Sequence, residues 1–106
     1  MSLCIFCEIA NKKMAADAVY ENSDFVVLND INPKAPVHLV LLPKKHINSI
    51  NEITDDDKNL LWDLFSLAKK MAKEKNTEMG YKLSFNVGRK GGQVIDHLHL
   101  HLLGGY

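Results

Sequence analysis

The sequence predicts an α+β domain in two layers: an antiparallel sheet of about five strands, with one long helix and one short one. Three observations carry this reading. Only the stretch that begins near Thr54 sustains helical periodicity over several turns. Elsewhere the apolar runs are short and are parted by Asn, Asp, Gly and Pro, as strands joined by tight links are. The chain closes on His97-Leu98-His99-Leu100-His101-Leu102-Leu103, which alternates with the period of a strand. With 106 residues the chain is long enough for one domain, 1–106, and not for two. A hydrophobic content of 46% allows a real core, and 25% charged residues argue against disorder.

Each element follows from local signals. The first apolar cluster, Leu3 to Ala10, makes a helical turn or two with Ile5, Phe6 and Ile9 facing inward. Val19-Tyr20-Glu21 reads as a short strand, Asn22-Ser23-Asp24 as a turn and Phe25-Val26-Val27-Leu28 as a buried strand. The pair forms a hairpin, although runs this short also fit a helix. Asn29 to Pro36 is a stiff loop, because Pro33 and Pro36 each push the preceding residue away from helix. Val37 to Leu42 is a central strand stopped by Pro43, and Lys44-Lys45-His46 begins a polar exit. At the long helix, Thr54 with Asp57 three residues on resembles a capping box. Asp55, Asp56 and Asp57 suit the positive end of the helix dipole; Lys69, Lys70, Lys73 and Lys75 suit the other. Leu60, Leu61, Leu64, Phe65, Ala68, Met71 and Ala72 form one apolar stripe, which needs a flat apolar surface, most simply a sheet. Gly80 is a stop signal. Tyr81 to Val87 alternates as a strand, Gly88 to Gly92 is a glycine-rich turn, and Val94 to Leu103 is the closing strand.

Charge narrows the partners. Lys+Arg and Asp+Glu both number 13, so nothing in the balance calls for a nucleic acid, whose backbone demands a positive footprint. Arg89 is the one arginine, so any phosphate must be held mainly by other donors. No apolar run approaches the ~20 residues of a membrane span. Met1 to Glu8 lacks the basic start of a signal peptide. A cytoplasmic protein without a membrane partner is therefore expected. In that compartment Cys4 and Cys7 are incidental core residues, metal ligands or a redox pair rather than a structural disulfide. No strand precedes them, which disfavours the redox pair.

The alternating histidines carry the chemistry. On a strand, His97, His99 and His101 share one face and neighbours start roughly 7 Å apart, two residues at ~3.3 Å each. Three readings stand: a polar face open to water, a metal site, or nucleophilic and acid–base chemistry on phosphorus. Imidazole suits the last, since it is nucleophilic near neutral pH and its second nitrogen can be locked by a carbonyl. A neighbouring imidazole can donate to an oxygen on which charge develops. Asn86 to Gln93 adds side-chain amides and permissive glycines that let amide groups crowd a phosphate. This turn is neither a Walker loop nor a dinucleotide fingerprint. His38 is an ordinary strand histidine or, since a buried imidazole needs a polar partner, a companion of the histidine strand.

These residues resemble the histidine triad (HIT) family of nucleotide-binding proteins, and within it the Hint-like purine-nucleoside phosphoramidase branch. The resemblance rests on the His-φ-His-φ-His-φ-φ run with Asn-x-Gly and Gly-Gln upstream, and on the Cys-Ile-Phe-Cys opening. It extends over Asp30-Ile31-Asn32-Pro33-Lys34-Ala35-Pro36-Val37-His38 and Pro43-Lys44-Lys45-His46-Ile47, in the family's order across nearly the whole chain. It implies a HIT-like fold and a nucleotide hydrolase or transferase acting on purine nucleoside 5'-phosphoramidates or related conjugates. His99 would be the nucleophile that forms a nucleotidyl-histidine, from which water releases a nucleoside monophosphate such as AMP. His101 and His38 would support the phosphate, and Asn86, Gln93 and Val94 would lie at the phosphate site. Asp30 would hold the ribose hydroxyls. Phe6, Ile9, Leu28 and Ile31 would line the base pocket, with Ile5 nearby. Bacterial members place two cysteines, a histidine and the first triad histidine around a structural zinc, which corresponds here to Cys4, Cys7, His46 and His97. A homodimer, with sheets joined edge to edge, is implied as well. A dinucleoside polyphosphate hydrolase and a nucleotide-binding sensor with little turnover are the alternatives.

The sequence departs from that branch in three places. Val94 stands where Ser or Thr is common, so a side-chain hydrogen bond to the phosphate or leaving group is lost; such bonds to charged groups are worth ~1.5–3 kcal/mol. Slower turnover, a shifted leaving-group preference or compensation by Gln93 is expected. Asp96 stands where an aromatic is common, and either orients a neighbouring histidine or faces solvent. The sequence stops at Tyr106, without the tail by which Hint-like proteins reach the partner's active site.

Overall fold

A computed structural model describes residues 4–12 and 16–106. Leu3, placed by the sequence in the first apolar cluster, lies outside the described residues. Among those residues five strands form one antiparallel sheet: β1 (Ala18–Glu21), β2 (Phe25–Asn29), β3 (Val37–Pro43), β4 (Tyr81–Ser84) and β5 (Leu100–Gly104). Their order is β1-β2-β3-β5-β4, so the last strand of the chain is inserted between β3 and β4. The short helix α1 spans Ile5–Ala10 and the long helix α2 spans Lys58–Glu74.

The two sheet faces are buried by different helices. Leu64, Leu67, Ala68, Met71 and Ala72 of α2 pack on Phe25, Val27, Leu39, Leu41, Leu100 and Leu102. Phe6 and Ala10 of α1 pack on Val26, Leu28, Val40 and Leu42 of the other face, with Ile9 and Ile95 at the margin. This explains why β2 and β3 read as unbroken apolar runs: side chains of both parities are covered. Each fully buried Leu, Phe or Met contributes about 1.5–3 kcal/mol. Both strands therefore anchor the domain. Histidine parity follows the same rule. His101 lies opposite Val40 and His38 opposite Leu103, so both imidazoles project to the α1 face while Leu100 and Leu102 fill the α2 core.

Local signals explain the connections. Asn22 Oδ1 accepts the Asp24 and Phe25 amides and closes the β1–β2 turn. The expected capping box forms: Thr54 takes the amide of Asp56 at its hydroxyl, and Asp57 Oδ2 takes the amide of Thr54. Lys45 donates to the buried Asp57 at 2.7 Å, which ties the exit of β3 to the start of the helix.

Five expectations need correction. The long helix does not begin at Thr54; Asp55–Asp57 form a 3₁₀ turn and α2 starts at Lys58. Its buried stripe includes Leu67, while Phe65 is exposed at 40%. The strand expected over Tyr81–Val87 ends at Ser84, because its ladder with β5 ends at the Ser84–His101 pair and Phe85 turns to meet Phe65 edge-on at 6.3 Å. The strand expected from Val94 begins only at Leu100. The His97 amide turns back to the Ile95 carbonyl and the Leu98 amide reaches Ile47, which lies beyond β3, so this stretch bonds to a loop instead of to a ladder. Ile5, expected to face inward, is 41% exposed at the cavity described next.

Candidate functional site

Backbone carbonyls fix the state of the two histidines that precede β5. The Nδ1–H of His99 donates to the carbonyl of His97 at 2.7 Å. A carbonyl only accepts, so the neutral ring keeps its lone pair on Nε2. Burial pushes the His99 pKa below the ordinary histidine value, against the hydrogen bond to the His97 carbonyl and the charge of Asp30. The ring is thus neutral and oriented at neutral pH, with its lone pair on Nε2. Phe6 meets it edge-on at 5.1 Å and His101 does so from another side at 5.0 Å.

A chain of hydrogen bonds sets the next imidazole. The Lys34 amide donates to His38 Nδ1 at 3.0 Å, so His38 carries its proton on Nε2. That proton faces His101 Nδ1 at 3.0 Å, and Asp30 Oδ2 lies 3.4 Å from the same His38 nitrogen. His101 therefore accepts at Nδ1 and presents Nε2–H as a donor. Asp30, His38 and His101 gather three atoms of the kind that ligate metals. The Lys34 amide argues against a cation there, since a metal at His38 Nε2 would move the proton to Nδ1, where a donor already sits. The His101 pKa is lowered to about 4, chiefly by burial, then by the neighbouring His99 and His38, with Asp30 opposing.

His99 and His101 open onto a cavity of about 510 Å³. Ile5, Phe6 and Ile9 of α1 form one wall, with Leu28 and Val40 of the sheet behind them. Asp30 and Asn32 line it too, with Asp30 Oδ2 3.9 Å from His101 Nδ1, and so do Asn86, Gly92 and Val94 together with His99 and His101. An apolar slot that ends in a carboxylate and a cluster of donors suits a flat heterocycle joined to a polyol and an anion. Gly88 and Gly92 have φ of +72° and +91°, which lets the intervening turn fold back on itself. Gln93 is buried within that turn: Oε1 accepts the Gly88 amide, and Nε2 donates to the Asn48 and Ile95 carbonyls. Arg89 clamps the turn from outside through paired bonds of 2.7 and 2.9 Å to Asp96 and a third to the Gln93 carbonyl.

A second cluster lies behind His99. Cys4 Sγ, Cys7 Sγ, His46 Nδ1 and His97 Nδ1 offer four ligand atoms, all within 4.8 Å of one another. The fully buried His97 gives its Nε2–H to the Pro43 carbonyl at 2.7 Å, so Nδ1 turns its lone pair to Cys4 at 3.2 Å and Cys7 at 3.5 Å. His46 Nδ1 lies 3.1 Å from Cys7, while its Nε2 contacts Asn48 Oδ1 at 2.6 Å; Asn48 in turn donates to Glu52. Two sulfurs and two imidazole nitrogens, each ring oriented through its other nitrogen, fit a tetrahedral cation of borderline softness.

The structure brings most of the expected residues together. Phe6, Ile9, Leu28, Asp30, Ile31, Asn86, Val94, His99 and His101 line one cavity, and Cys4, Cys7, His46 and His97 form one cluster. His38 stands behind His101 and away from the cavity wall. Gln93 shapes the turn and does not compensate for Val94, which is 80% exposed. Asp96 pairs with Arg89 instead of orienting a histidine. The sequence reading missed the Lys34 amide and the Pro43 and His97 carbonyls, because backbone groups carry no residue signal. Asn48 was missed too, although its position two residues after His46 was a usable signal.

The family model for the C-terminal binding region of the scavenger mRNA decapping enzyme matches residues 3–105. Protein HitA of Neisseria gonorrhoeae is 40% identical over 104 residues, which cover 98% of this chain and 97% of that protein. The crystal structure of a HIT family hydrolase from Legionella pneumophila Philadelphia 1 superposes with a TM-score of 0.95 at 47% identity, covering 97% of this chain and 93% of that one. A histidine triad protein from Clostridium difficile gives a TM-score of 0.94 at 38% identity, covering 100% and 94%.

The lowered His101 pKa makes stability depend on pH. The unfolded chain binds this proton near pH 6.5, whereas the folded chain refuses it until about pH 4. Stability contributed by His101 is full above pH 6.5, falls as the pH drops toward 4 and levels off below, by at most about 3 kcal/mol. Urea unfolding at pH 7 and pH 4.5 should show the wild type losing more stability than His101→Gln; equal losses would contradict the assignment.

Proposed function

We propose that this chain, which belongs to the histidine triad (HIT) family, is a nucleotide hydrolase or transferase that cleaves purine nucleoside 5'-phosphoramidates or related conjugates through a nucleotidyl-histidine. The observation that carries the reading is the His99 ring: buried against the cavity, with its proton held by a carbonyl and its free nitrogen available. In this mechanism the base occupies the slot between Phe6, Ile9 and Leu28, and Asp30 accepts from the ribose hydroxyls. His99 Nε2 attacks the α-phosphorus, the bond to the leaving nitrogen breaks, and the amine departs with a proton supplied by solvent. His101 Nε2–H donates to a non-bridging oxygen as charge builds there. The His38 link keeps that proton on the correct nitrogen. Water then cleaves the phosphorus–nitrogen bond, which releases the nucleoside monophosphate and restores His99. The exposed Val94 offers no hydroxyl to this step, and it favours a second reading, nucleotide binding with little turnover. The cavity lies on a chain in which no helix among the described residues is long and apolar enough to cross a membrane.

The cysteine–histidine cluster is read as a structural zinc site. Cys4, Cys7, His46 and His97 would hold the ion and fasten α1, which at six residues is too short to persist alone, to the sheet. A homodimer is proposed on the face where Trp62 is 71% exposed and Phe65, Leu83 and Phe85 lie beside the open edge of β4.

Three measurements check these statements. Adenosine 5'-phosphoramidate should yield AMP, with His99→Ala losing about 10³-fold or more and His101→Ala about 10²-fold. Cleavage of a diadenosine polyphosphate alone would favour the alternative hydrolase, and nucleotide binding without any turnover would favour the sensor. Untagged protein purified without chelator should carry one zinc per chain, lost in Cys4→Ser; zinc-free wild type would overturn that site. Sedimentation should give twice the 12.0 kDa chain mass, with Trp62→Glu shifted toward monomer; a wild-type monomer at tens of micromolar would refute the dimer.

A further inference from the structure

We propose that His97 is a positioning residue that couples the cysteine–histidine cluster to the nucleophile, so that a divalent metal in the cluster and a nucleotide in the cavity tighten one another's binding. The inference rests on the function proposed above and extends it to a linkage between two sites. Two physical routes join them, and both pass through residues already fixed in place.

The first route is the backbone of His97. Its ring is wholly buried, held at Nε2–H by the Pro43 carbonyl and faced at Nδ1 by both cysteine sulfurs. His46 meets the same ring edge-on at 4.8 Å. The carbonyl of this one residue accepts the His99 Nδ1–H at 2.7 Å. A shift of the His97 ring therefore moves the group that decides which His99 nitrogen keeps its lone pair. Hydrogen bonds of this kind span only about 2.7–3.2 Å, so a displacement of an ångström is enough to release it. With the carbonyl withdrawn, no other contact among the described residues keeps the proton on Nδ1, and the tautomer with its proton on Nε2 cannot attack phosphorus through that nitrogen.

The second route is Phe6. It lies between Cys4 and Cys7 in sequence and is edge-on to His97 at 5.9 Å and to His99 at 5.1 Å. Ile5, Phe6 and Ile9 of the same short helix wall the nucleotide cavity. Cys4 caps this helix, accepting the Cys7 amide at its sulfur. Thiols are weak donors and hold a neighbouring imidazole loosely, whereas a bound zinc would hold sulfur at about 2.3 Å and imidazole nitrogen at about 2.0–2.1 Å in a fixed tetrahedron. Filling the cluster thus stiffens the wall and the nucleophile together. By linkage, whatever factor the metal adds to nucleotide affinity the nucleotide adds to metal affinity, commonly 5–150-fold.

The test uses the native protein. Its zinc dissociation constant is measured by competition with a chromophoric chelator, alone and with saturating AMP; a tightening of about tenfold is expected, matched by an equal loosening of AMP in chelator-stripped protein. In parallel, ¹⁵N spectra of histidine-labelled protein should show His99 as one Nδ1–H tautomer with zinc and as a mixture without it. A zinc constant indifferent to AMP overturns the coupling. So does a single His99 tautomer in stripped protein whose circular dichroism remains native, and so does failure to bind zinc. If stripping unfolds the chain, the zinc constant with and without AMP decides alone. If AMP binds but no phosphoramidate is cleaved, the proposed reaction fails while the coupling is still read. If AMP does not bind, the His99 tautomer decides.

Discussion

The register of β5 between β3 and β4 is the constraint on which the site depends. Leu100 and Leu102 are fully buried under α2, and the alternation then places His101 on the α1 face beside His38. A slip of one residue would drive imidazoles into the α2 core and leucines into the cavity. Burying an imidazole without a partner costs about 1–3 kcal/mol, which disfavours the slipped register. The same apolar packing that stabilises the domain therefore sets the chemical face.

Once the faces are set, backbone groups decide the chemistry. The Pro43 carbonyl, the His97 carbonyl and the Lys34 amide each contact one imidazole nitrogen, and each leaves the other nitrogen with a definite role. His97 is left a lone pair toward sulfur, His99 a lone pair toward the cavity, and His38 a proton toward His101. Identical side chains thus acquire different proton arrangements without any change of residue. Burial reinforces the division, since the His97, His99 and His101 pKa values are all lowered by loss of solvent and the rings stay neutral.

The turn between β4 and the histidines completes the site from the other side. Gln93 uses its whole amide inside the turn and Arg89 grips it from outside, so the segment that carries Gly92 and Val94 is preorganised although much of it is exposed. Val94 sits on this rigid support with no polar atom in its side chain. The backbone of the turn, and not a hydroxyl, is what this side of the cavity offers.

The sequence by itself determined the fold class, the two helices, where the apolar strands lie along the chain and most of the residues that the fold gathers at the cavity and the cluster. Periodicity, caps and turn residues are local signals, and the capping box at Thr54 and Asp57 and the turn at Asn22 formed as their residues dictate. Its boundaries failed at Val94–His99 and at Phe85–Val87, where the partner of each strand runs out. Strand limits depend on pairing across the sheet, which no single segment encodes. Only the tertiary structure decided that Gln93 and Asp96 serve the turn instead of the ligand, and which nitrogen of each histidine is free. Those outcomes depend on carbonyls and amides brought from distant parts of the chain, such as Pro43 to His97 and Lys34 to His38. Every residue carries such groups, so the sequence cannot mark the few that matter.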